Sequence, residues 1–399
     1  MAEETGDNRG GGNDGPDQWQ KMGVGSSFGL NALSSSWSST VPSLEALVQN
    51  KRLILFLVVF GIFFLMITGS LFSPKHLEKD TTNLGFDSRG LRDKLRAVSR
   101  SALTQGAVEP LSTSYELLKG GGMQFIWSKA EGQALANKKA STTLTSKENP
   151  DGNTGFDPFD EAHLDQRMFV SQIPPEHTLI LNKFNTIQDH ALLVTRAWAP
   201  QAAPLGPRDL RALAAAAAAL PALGFYNSGP AAGASQAHKH MQLIPLDVLK
   251  EYRPDAAHSV PVDELIAQES SPTGIPFTIS NFDFKHAVVR IDGKRTAPEV
   301  LFTLYTELLI HSGLLDDAYK EEFERGYSSP SSAKLLQHDY NLLMTPEWMM
   351  VIPRTQREFE GVDVNALGFA GLLLTRGEAP AQAVRQWGPL HILNGVAPY

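Results

Sequence analysis

The sequence predicts an α+β fold, in which an antiparallel sheet is flanked by helices. Strand-like and helix-like segments are interleaved without the long buried βαβ runs of a doubly wound sheet. Two strand signals, at 178–184 and 190–196, are close enough in sequence to form a hairpin. Neither a Gly-x-Gly-x-x-Gly nor a Walker A pattern occurs, which argues against a Rossmann or P-loop enzyme.

The composition limits the possible functions. The chain has 399 residues, enough for one large or two ordinary domains. Its formal net charge of −8 argues against broad nucleic-acid binding, which requires a basic face. The sequence contains no cysteine, so a disulfide framework, a thiolate nucleophile and a cysteine zinc site are excluded.

The N-terminal segment differs in composition from the rest. Residues 1–50 are rich in Gly, Ser, Asn and Asp, and we expect them to be disordered. Residues 53–72 are uncharged and mostly apolar, which favours a transmembrane helix over a buried core helix. Residues 73–90 resemble a polar linker. We therefore expect a single-pass membrane protein whose catalytic region faces the cytosol, although the flanking positive charges are too balanced to determine orientation.

Residues 91–399 are expected to form one catalytic region, with an N-terminal part to about 255 and a C-terminal part over about 275–399. Helical periodicity and high helix propensity predict its helices, whereas alternation and turn residues predict its strands. One predicted helix begins at Leu91, and the others span 207–220, 298–311 and 365–376. Further strands are predicted at 123–127, 340–345 and 348–352.

The most informative stretch is 225–245, where a short aromatic strand leads through a loop of small residues into a second strand. Side chains two apart in a strand share a face, so His238, His240 and Gln242 are expected to point the same way. Pro245 ends the strand because it has no N–H to donate. The pattern predicts two imidazoles and an amide in one row.

This row alone leaves three interpretations open: catalysis, metal binding and a structural role. A metal site requires a third ligand, and glutamine is a poor one. The neighbouring loop 233–236 offers N–H groups and a hydroxyl, while Asn182 and Lys183 add an amide and a cation. This combination favours a polyphosphate site in which an imidazole attacks phosphorus.

The sequence around this row resembles the diadenosine tetraphosphate phosphorylases, also called ATP adenylyltransferases, of the histidine-triad and galactose-1-phosphate uridylyltransferase superfamily. The resemblance extends in the same order over roughly residues 88–399. It is carried by the segments 106–110, 181–185, 190–196, 225–230, 233–242, 340–345, 348–349, 352–354 and 365–371. It implies a histidine-triad-like fold.

The resemblance also implies a mechanism. His240 would attack the α-phosphorus of a dinucleoside polyphosphate and carry AMP, His238 would orient the site, and Gln242 would hold the nucleotidyl intermediate. Inorganic phosphate would then take the AMP to give ADP, with ATP as the other product, in a reversible reaction. Mg²⁺ is expected to arrive with the polyphosphate rather than in a protein metal site.

The resemblance assigns substrate contacts beyond the row. Lys139 is an alternative to Lys138 as one of these contacts. Three other histidines, His190, His286 and His311, are interpreted as structural. The substrate contacts are Lys138, Asn182, Lys183, Asn227, Gly233, Ala234, Ser235, Gln236, Gln242, Leu343, Met344, Thr345, Met350 and Arg354.

Two other functions remain open at this point. One is a related nucleotidyltransferase that acts on a nucleoside-diphosphate-sugar or on adenylyl sulfate. The other is a catalytically silent nucleotide-binding sensor at a membrane. Intact His238, His240 and Gln242 argue against the sensor, because pure binding requires no nucleophile.

Overall fold

An eight-stranded antiparallel sheet lies at the centre of the structure. The computed structural model describes residues 88–130, 157–292, 296–327 and 330–398. Within these ranges the strand order is β3-β4-β5-β7-β6-β9-β10-β8, and every neighbouring pair is antiparallel. The strands are β3 (Phe169–Ile173), β4 (His177–Leu181), β5 (Ala191–Thr195), β6 (Ala222–Asn227), β7 (His240–Pro245), β8 (Ala287–Arg290), β9 (Asp339–Met344) and β10 (Trp348–Arg354).

A second, three-stranded sheet has the order β1-β2-β13. Strands β1 (Thr113–Gly120) and β2 (Met123–Ala130) form an antiparallel hairpin, and β13 (Leu372–Arg376) pairs with β2 in parallel. Two short strands, β11 (Glu358–Phe359) and β12 (Val362–Asp363), form a separate hairpin.

The helices cover both faces of the large sheet. On one face, an apolar core joins β-strand side chains to α2 and α5, as in the contact group that contains Leu213, Leu308 and Leu342. On the other face, a second core joins strand side chains such as Phe225 and Met350 to the C-terminal helices. The helices are α1 (Leu91–Thr104), α2 (Pro207–Ala219), α3 (Leu246–Tyr252), α4 (Asp263–Ile266), α5 (Pro298–His311), α6 (Lys320–Gly326), α7 (Pro330–Ala333), α8 (Ala366–Phe369), α9 (Glu378–Trp387) and α10 (Pro389–Val396).

The α+β class and the antiparallel sheet with flanking helices are confirmed. The helices predicted at 207–220 and 298–311 are present, as are the hairpin strands β4 and β5 and the pair β9 and β10. Proline at the first turn of α2 and α5 begins each helix, because its missing N–H is not needed there.

The helix predicted over 365–376 is wrong. Only Ala366–Phe369 is helical, and the apolar residues that follow form β13. Gly371 separates the two elements with φ of 93°, and a Cβ there would lie 2.4 Å from the side chain of Pro261. A left-handed residue ends the helix, and the next five residues extend along β2.

The membrane localisation expected from the sequence finds no support in the part of the chain that the structure describes. Across the described ranges, no helix is both long and apolar enough to cross a bilayer. The segments predicted to be disordered (1–50) and transmembrane (53–72) lie outside the described residues, as do residues 73–87 of the predicted linker (73–90).

Candidate active site

Strand β7 lies in the interior of the large sheet, between β5 and β6. His240 is paired with Val194, and Gln242 with Leu192 and Phe225. His240 and Gln242 therefore share one face of β7, as the alternation predicts. His238 precedes the strand and forms an isolated bridge with Pro200, so the predicted row of three is continued by a loop residue rather than by the strand.

The opposite side of the row is occupied by a buried ion pair. Lys239, which lies between the two histidines, donates to the carboxylate of Asp209 at 3.2 Å and to the carbonyl of Pro204 at 2.9 Å. Asp209 also contacts His177 Nε2 at 2.9 Å, and its pKa is lowered to about 2 by these partners despite its burial. These contacts anchor the row of His238, His240 and Gln242 to the start of helix α2.

The ring of His240 is oriented by the backbone carbonyl of His238. Its Nδ1 donates to the carbonyl of His238 at 2.9 Å. Since that proton occupies Nδ1, the lone pair of the neutral ring lies on Nε2, and the ring lines a cavity. Burial lowers the pKa of His240 to about 4. The ring is therefore neutral at pH 7, which is the state a nucleophile requires.

The ring of His238 is held from both ends. Its Nδ1 lies 2.6 Å from the carboxylate of Asp157, and its Nε2 lies 2.8 Å from the carbonyl of Thr195. The ring of Phe159 packs against both His238 and His240, with ring centroids 5.9 Å and 5.1 Å away. These contacts fix the position of the His238 carbonyl, which accepts the hydrogen bond from His240 Nδ1.

A glutamine outside the sequence motif connects the ends of β6 and β7. Gln201 accepts from the backbone N–H of His240 at 2.8 Å and donates to the carbonyl of Asn227 at 2.7 Å. The regular pairing of β6 with β7 ends at Phe225 and Gln242, so this side chain replaces ladder hydrogen bonds where the strands separate. The separation opens space beside His240.

The cavity beside His240 has a volume of about 1210 Å³. Its wall contains most of the residues that the sequence assigns to the site. These are Asn182, Lys183, Asn227, Gly233, Ala234, Ser235, Gln236, His240 and Gln242.

The small-residue loop is held close to its neighbours. Gly233 has φ of 87°, and a Cβ there would lie 2.9 Å from the carbonyl of Val364. Only glycine fits such a left-handed, closely approached position without strain. The backbone N–H of Ala231 donates to Asp339 at 2.8 Å, and Asn227 accepts from Asn341 at 2.9 Å. The loop is thus pre-formed beside the cavity.

Five other predicted contacts lie in the described part of the chain but do not line the cavity. Three of them, Leu343, Met344 and Met350, are buried in strands β9 and β10, and Thr345 is buried directly after β9. Leu343 and Met350 belong to the apolar core on the cavity side of the sheet, and Met344 belongs to the opposite core. Their contact with substrate stays a prediction from the resemblance. Lys138 and its alternative Lys139 lie outside the described residues.

Arg354 is a buried structural cation in this geometry. Its guanidinium donates to Asn341 Oδ1 at 2.6 Å and to the carbonyl of Val364 at 2.9 Å, and burial lowers its pKa to about 9. Arg357, three residues later, does line the cavity. It donates to the carbonyl of Ala234 at 3.1 Å. A cation therefore contacts the small-residue loop, but it is not the predicted one.

Several residues of the site could not be found from local sequence pattern. Asp157, Phe159, Thr195 and Gln201 reach the row from distant positions, and Arg357 and Arg376 line the cavity. His190, interpreted from the sequence as structural, also lines the cavity, and its Nε2 lies 2.9 Å from Gln242 Oε1. Its position directly before β5 was the local signal that could have indicated this.

Two family models match the chain in succession. The Ap4A phosphorylase N-terminal domain matches residues 81–268, and the ATP adenylyltransferase C-terminal domain matches residues 280–398. Together they cover most of the chain.

Curated relatives come from Saccharomyces cerevisiae. Protein APA1 is 28% identical over 224 residues, which are 51% of this chain and 62% of its own length. Diadenosine 5′,5‴-P1,P4-tetraphosphate phosphorylase 2 is 26% identical over 256 residues, which are 57% of this chain and 72% of its own length. The chain thus matches less than two thirds of the first of these relatives.

Solved structures show the same fold. The crystal structure of yeast Ap4A phosphorylase Apa2 aligns with a TM-score of 0.58 and 21% identity, over 77% of this chain and 94% of that chain. The same enzyme in complex with Ap4A aligns with a TM-score of 0.57 and 22% identity, over 77% and 97%.

The fold and the two family models define the class first: an α+β protein of the histidine-triad and galactose-1-phosphate uridylyltransferase superfamily. Within that class, the chain belongs to the Ap4A phosphorylase (ATP adenylyltransferase) family of enzymes.

Proposed function

We propose that this protein cleaves diadenosine tetraphosphate with inorganic phosphate, giving ATP and ADP, through an AMP–His240 intermediate. The observation that carries the proposal is the state of His240. Its proton is held on Nδ1 by a carbonyl 2.9 Å away, its pKa is lowered to about 4, and its ring lines the cavity. A neutral imidazole with its lone pair toward a cavity is a competent nucleophile at pH 7.

In the first step, Nε2 of His240 attacks the α-phosphorus of one adenosine. A P–N bond forms, the bond from that phosphorus to its bridging oxygen breaks, and ATP leaves. The ring becomes a phosphorylated cation that keeps its Nδ1 proton. The hydrogen bond from Nδ1 to the His238 carbonyl strengthens as the charge develops, and Asp157 and Thr195 hold His238 in place.

In the second step, an oxygen of inorganic phosphate attacks the same phosphorus. The P–N bond breaks, the neutral imidazole is restored, and ADP is released. Each step is a displacement at phosphorus, and the two are chemically alike, so the sequence runs in both directions. Two inversions leave the configuration at the α-phosphorus retained.

The cavity wall supplies groups suited to polyphosphate. The loop 233–236 presents backbone N–H groups and the Ser235 hydroxyl, and Gln242 presents an amide. Lys183 and Arg357 add cations, each partly balanced by a carboxylate, Glu109 or Asp363. Mg²⁺ would enter as part of the polyphosphate substrate and neutralise the remaining charge.

The size of the cavity fits a dinucleotide rather than a small phosphate ester. Its volume of about 1210 Å³ exceeds the roughly 300–1,000 Å³ of pockets for drug-sized ligands. The relative named as a diadenosine tetraphosphate phosphorylase and the family models support the same substrate for this chain.

The test uses the purified full-length chain with diadenosine tetraphosphate, Mg²⁺ and ¹⁸O-labelled inorganic phosphate. We expect ATP and ADP in equal amounts, with the ¹⁸O in the β-phosphate of ADP. AMP in place of ADP, formed whether or not phosphate is present, would show hydrolysis and contradict the proposal. Turnover of a nucleoside-diphosphate-sugar or adenylyl sulfate, with none of the dinucleotide, would also contradict it.

A further inference from the structure

A chain of hydrogen bonds leads from the backbone to the amide of Gln242. The N–H of Phe184 donates to Asn182 Oδ1 at 3.3 Å. The Nδ2 of Asn182 lies 3.1 Å from His190 Nδ1, and His190 Nε2 lies 2.9 Å from Gln242 Oε1. All three side chains line the cavity.

The direction of this chain is determined by its first member. A backbone N–H can only donate, so the oxygen of the Asn182 amide faces Phe184 and its NH₂ group faces His190. His190 Nδ1 must then accept, and the proton of the neutral ring lies on Nε2. That proton is donated to Gln242 Oε1. The NH₂ group of Gln242 is left as the part of the amide that is available to a ligand.

We infer that His190 is a positioning residue of the reaction: with Asn182, it holds the Gln242 amide so that its N–H donors, not its oxygen, meet the phosphoryl oxygens. The inference rests on the proposed function. A flipped amide would present a carbonyl oxygen to an anionic phosphoryl group, which replaces an attraction by a repulsion. Asn182 accordingly acts through His190, whatever else it contacts.

The surroundings of His190 suit a fixed ring. The residue is buried, with 7% of its surface exposed, and its ring packs against Phe225 at a centroid distance of 5.8 Å. Its backbone carbonyl accepts from the N–H of Asn182 at 2.9 Å. Asp189, immediately before it, has φ of 57° and is paired with Arg92 at 2.7 Å. Both the ring and the backbone of His190 are thus held.

The first test compares His190→Leu with His190→Gln. The leucine removes both ring nitrogens, whereas the glutamine restores one donor and one acceptor. We expect kcat for the leucine variant to fall about 10- to 100-fold with little change in KM, because the lost donor acts on the transferred phosphoryl group. The glutamine variant should recover most of this loss. Equal activity of the leucine variant and the wild type would overturn the inference.

The second test uses pH to reverse the direction of the hydrogen bonds that link Asn182, His190 and Gln242. In Asn182→Asp, the carboxylate can only accept, so His190 must carry a proton on Nδ1. At low pH the doubly protonated ring still donates to Gln242. Once the ring loses one proton as the pH rises, Nε2 becomes an acceptor and the Gln242 amide must turn over. We therefore expect this variant to lose activity as pH rises, unlike the wild type.

Other ionisable groups near His190 have to be separated from this effect. Asp189 is paired with Arg92, Lys183 is close to Glu109, and the cavity wall also carries His163, Asp165 and His240. All of them are present in the matched control Asn365→Asp, which makes the same substitution elsewhere on the cavity wall. The control should show no such loss as pH rises.

The outcomes distinguish this inference from the proposed function. Wild-type protein that forms no ATP and ADP contradicts the proposed function. Wild-type protein that forms them, beside an Asn182→Asp variant with the wild-type pH profile, contradicts the role of His190. The pH profile decides even when His190→Leu does not fold, because Asn182→Asp keeps both the volume and the Phe184 hydrogen bond.

Discussion

Two buried histidines at different places in the large sheet have almost the same local geometry. His240 begins the central strand β7, and its Nδ1 donates to the carbonyl two residues earlier at 2.9 Å. His286 directly precedes the edge strand β8, and its Nδ1 contacts the carbonyl of Phe284 at 2.8 Å. Burial lowers the pKa of both rings.

The two rings differ in what faces Nε2. The Nε2 of His286 accepts from the backbone N–H of Ile279 at 2.7 Å, so its lone pair is used by the fold. The ring of His240 lines the cavity, and no hydrogen bond to its Nε2 is formed by any residue that the structure describes. Neutrality and burial alone therefore do not make a candidate nucleophile, which also requires a lone pair that faces a cavity.

Replacing each histidine by alanine gives the largest expected contrast. His240→Ala should lose more than about 10³-fold in turnover, because it removes the proposed nucleophile. His286→Ala should keep its turnover per folded molecule but lose about 1–3 kcal/mol of stability, since the Ile279 N–H is left buried without an acceptor. Steady-state rates and denaturant unfolding of both proteins measure the contrast, with exposed His311→Ala as control.

The same distinction between a structural residue and a substrate-site residue applies to Met350 on strand β10. The resemblance makes Met350 a substrate contact, whereas the structure buries it completely in the core beside Leu343. Met350→Ala should cost about 2–5 kcal/mol of unfolding free energy, as for other buried side chains. Its KM for the dinucleotide should change less than twofold. A large rise in KM at unchanged stability would contradict this expectation and show that Met350 contacts the substrate.

The pH dependence separates His240 from the remaining titrating groups. Its pKa is about 4 in the folded chain and near the ordinary 6.5 when unfolded, so the unfolded chain takes up a proton that the folded chain does not. Stability from this residue is full above pH 6.5 and is lost as pH falls toward 4, by about 3 kcal/mol. Wild-type stability should therefore fall more than that of His240→Asn between pH 7 and 4.

Asp263 makes that comparison between variants necessary. Burial raises its pKa to about 6, so its contribution is lost as pH rises and opposes that of His240 over the same range. Both proteins contain Asp263, so its contribution cancels when the pH dependence of stability of His240→Asn is subtracted from that of the wild type. Equal slopes for the two proteins would contradict the low pKa of His240.

The smallest effect is expected at the two arginines. Arg357 contacts the small-residue loop at the cavity, so Arg357→Gln should raise KM for the dinucleotide about tenfold, the equivalent of about 1.4 kcal/mol. Arg354→Gln should act on stability instead, because its guanidinium holds buried carbonyls. Binding measured by calorimetry and thermal unfolding distinguish them; a KM effect confined to Arg354 would reverse the assignment.

The sequence predicted the parts of the site that are local. His240 and Gln242 share a face because strand side chains alternate, and the small-residue loop is adjacent in sequence. Asp157 and Gln201 were not predictable, because they reach the row across 81 and 39 residues by folding alone. The helix expected over 365–376 failed since a short apolar run fits a helix or a strand equally well.

The direct test of the account is the site of the covalent AMP. Full-length protein is incubated with diadenosine tetraphosphate labelled with ³²P at the α-phosphorus, without inorganic phosphate, and the labelled peptide is identified by mass spectrometry. We expect acid-labile label on His240, lost as ADP when phosphate is added and absent from His240→Ala. Label retained by that variant, or found on His238 or His190, would contradict the account.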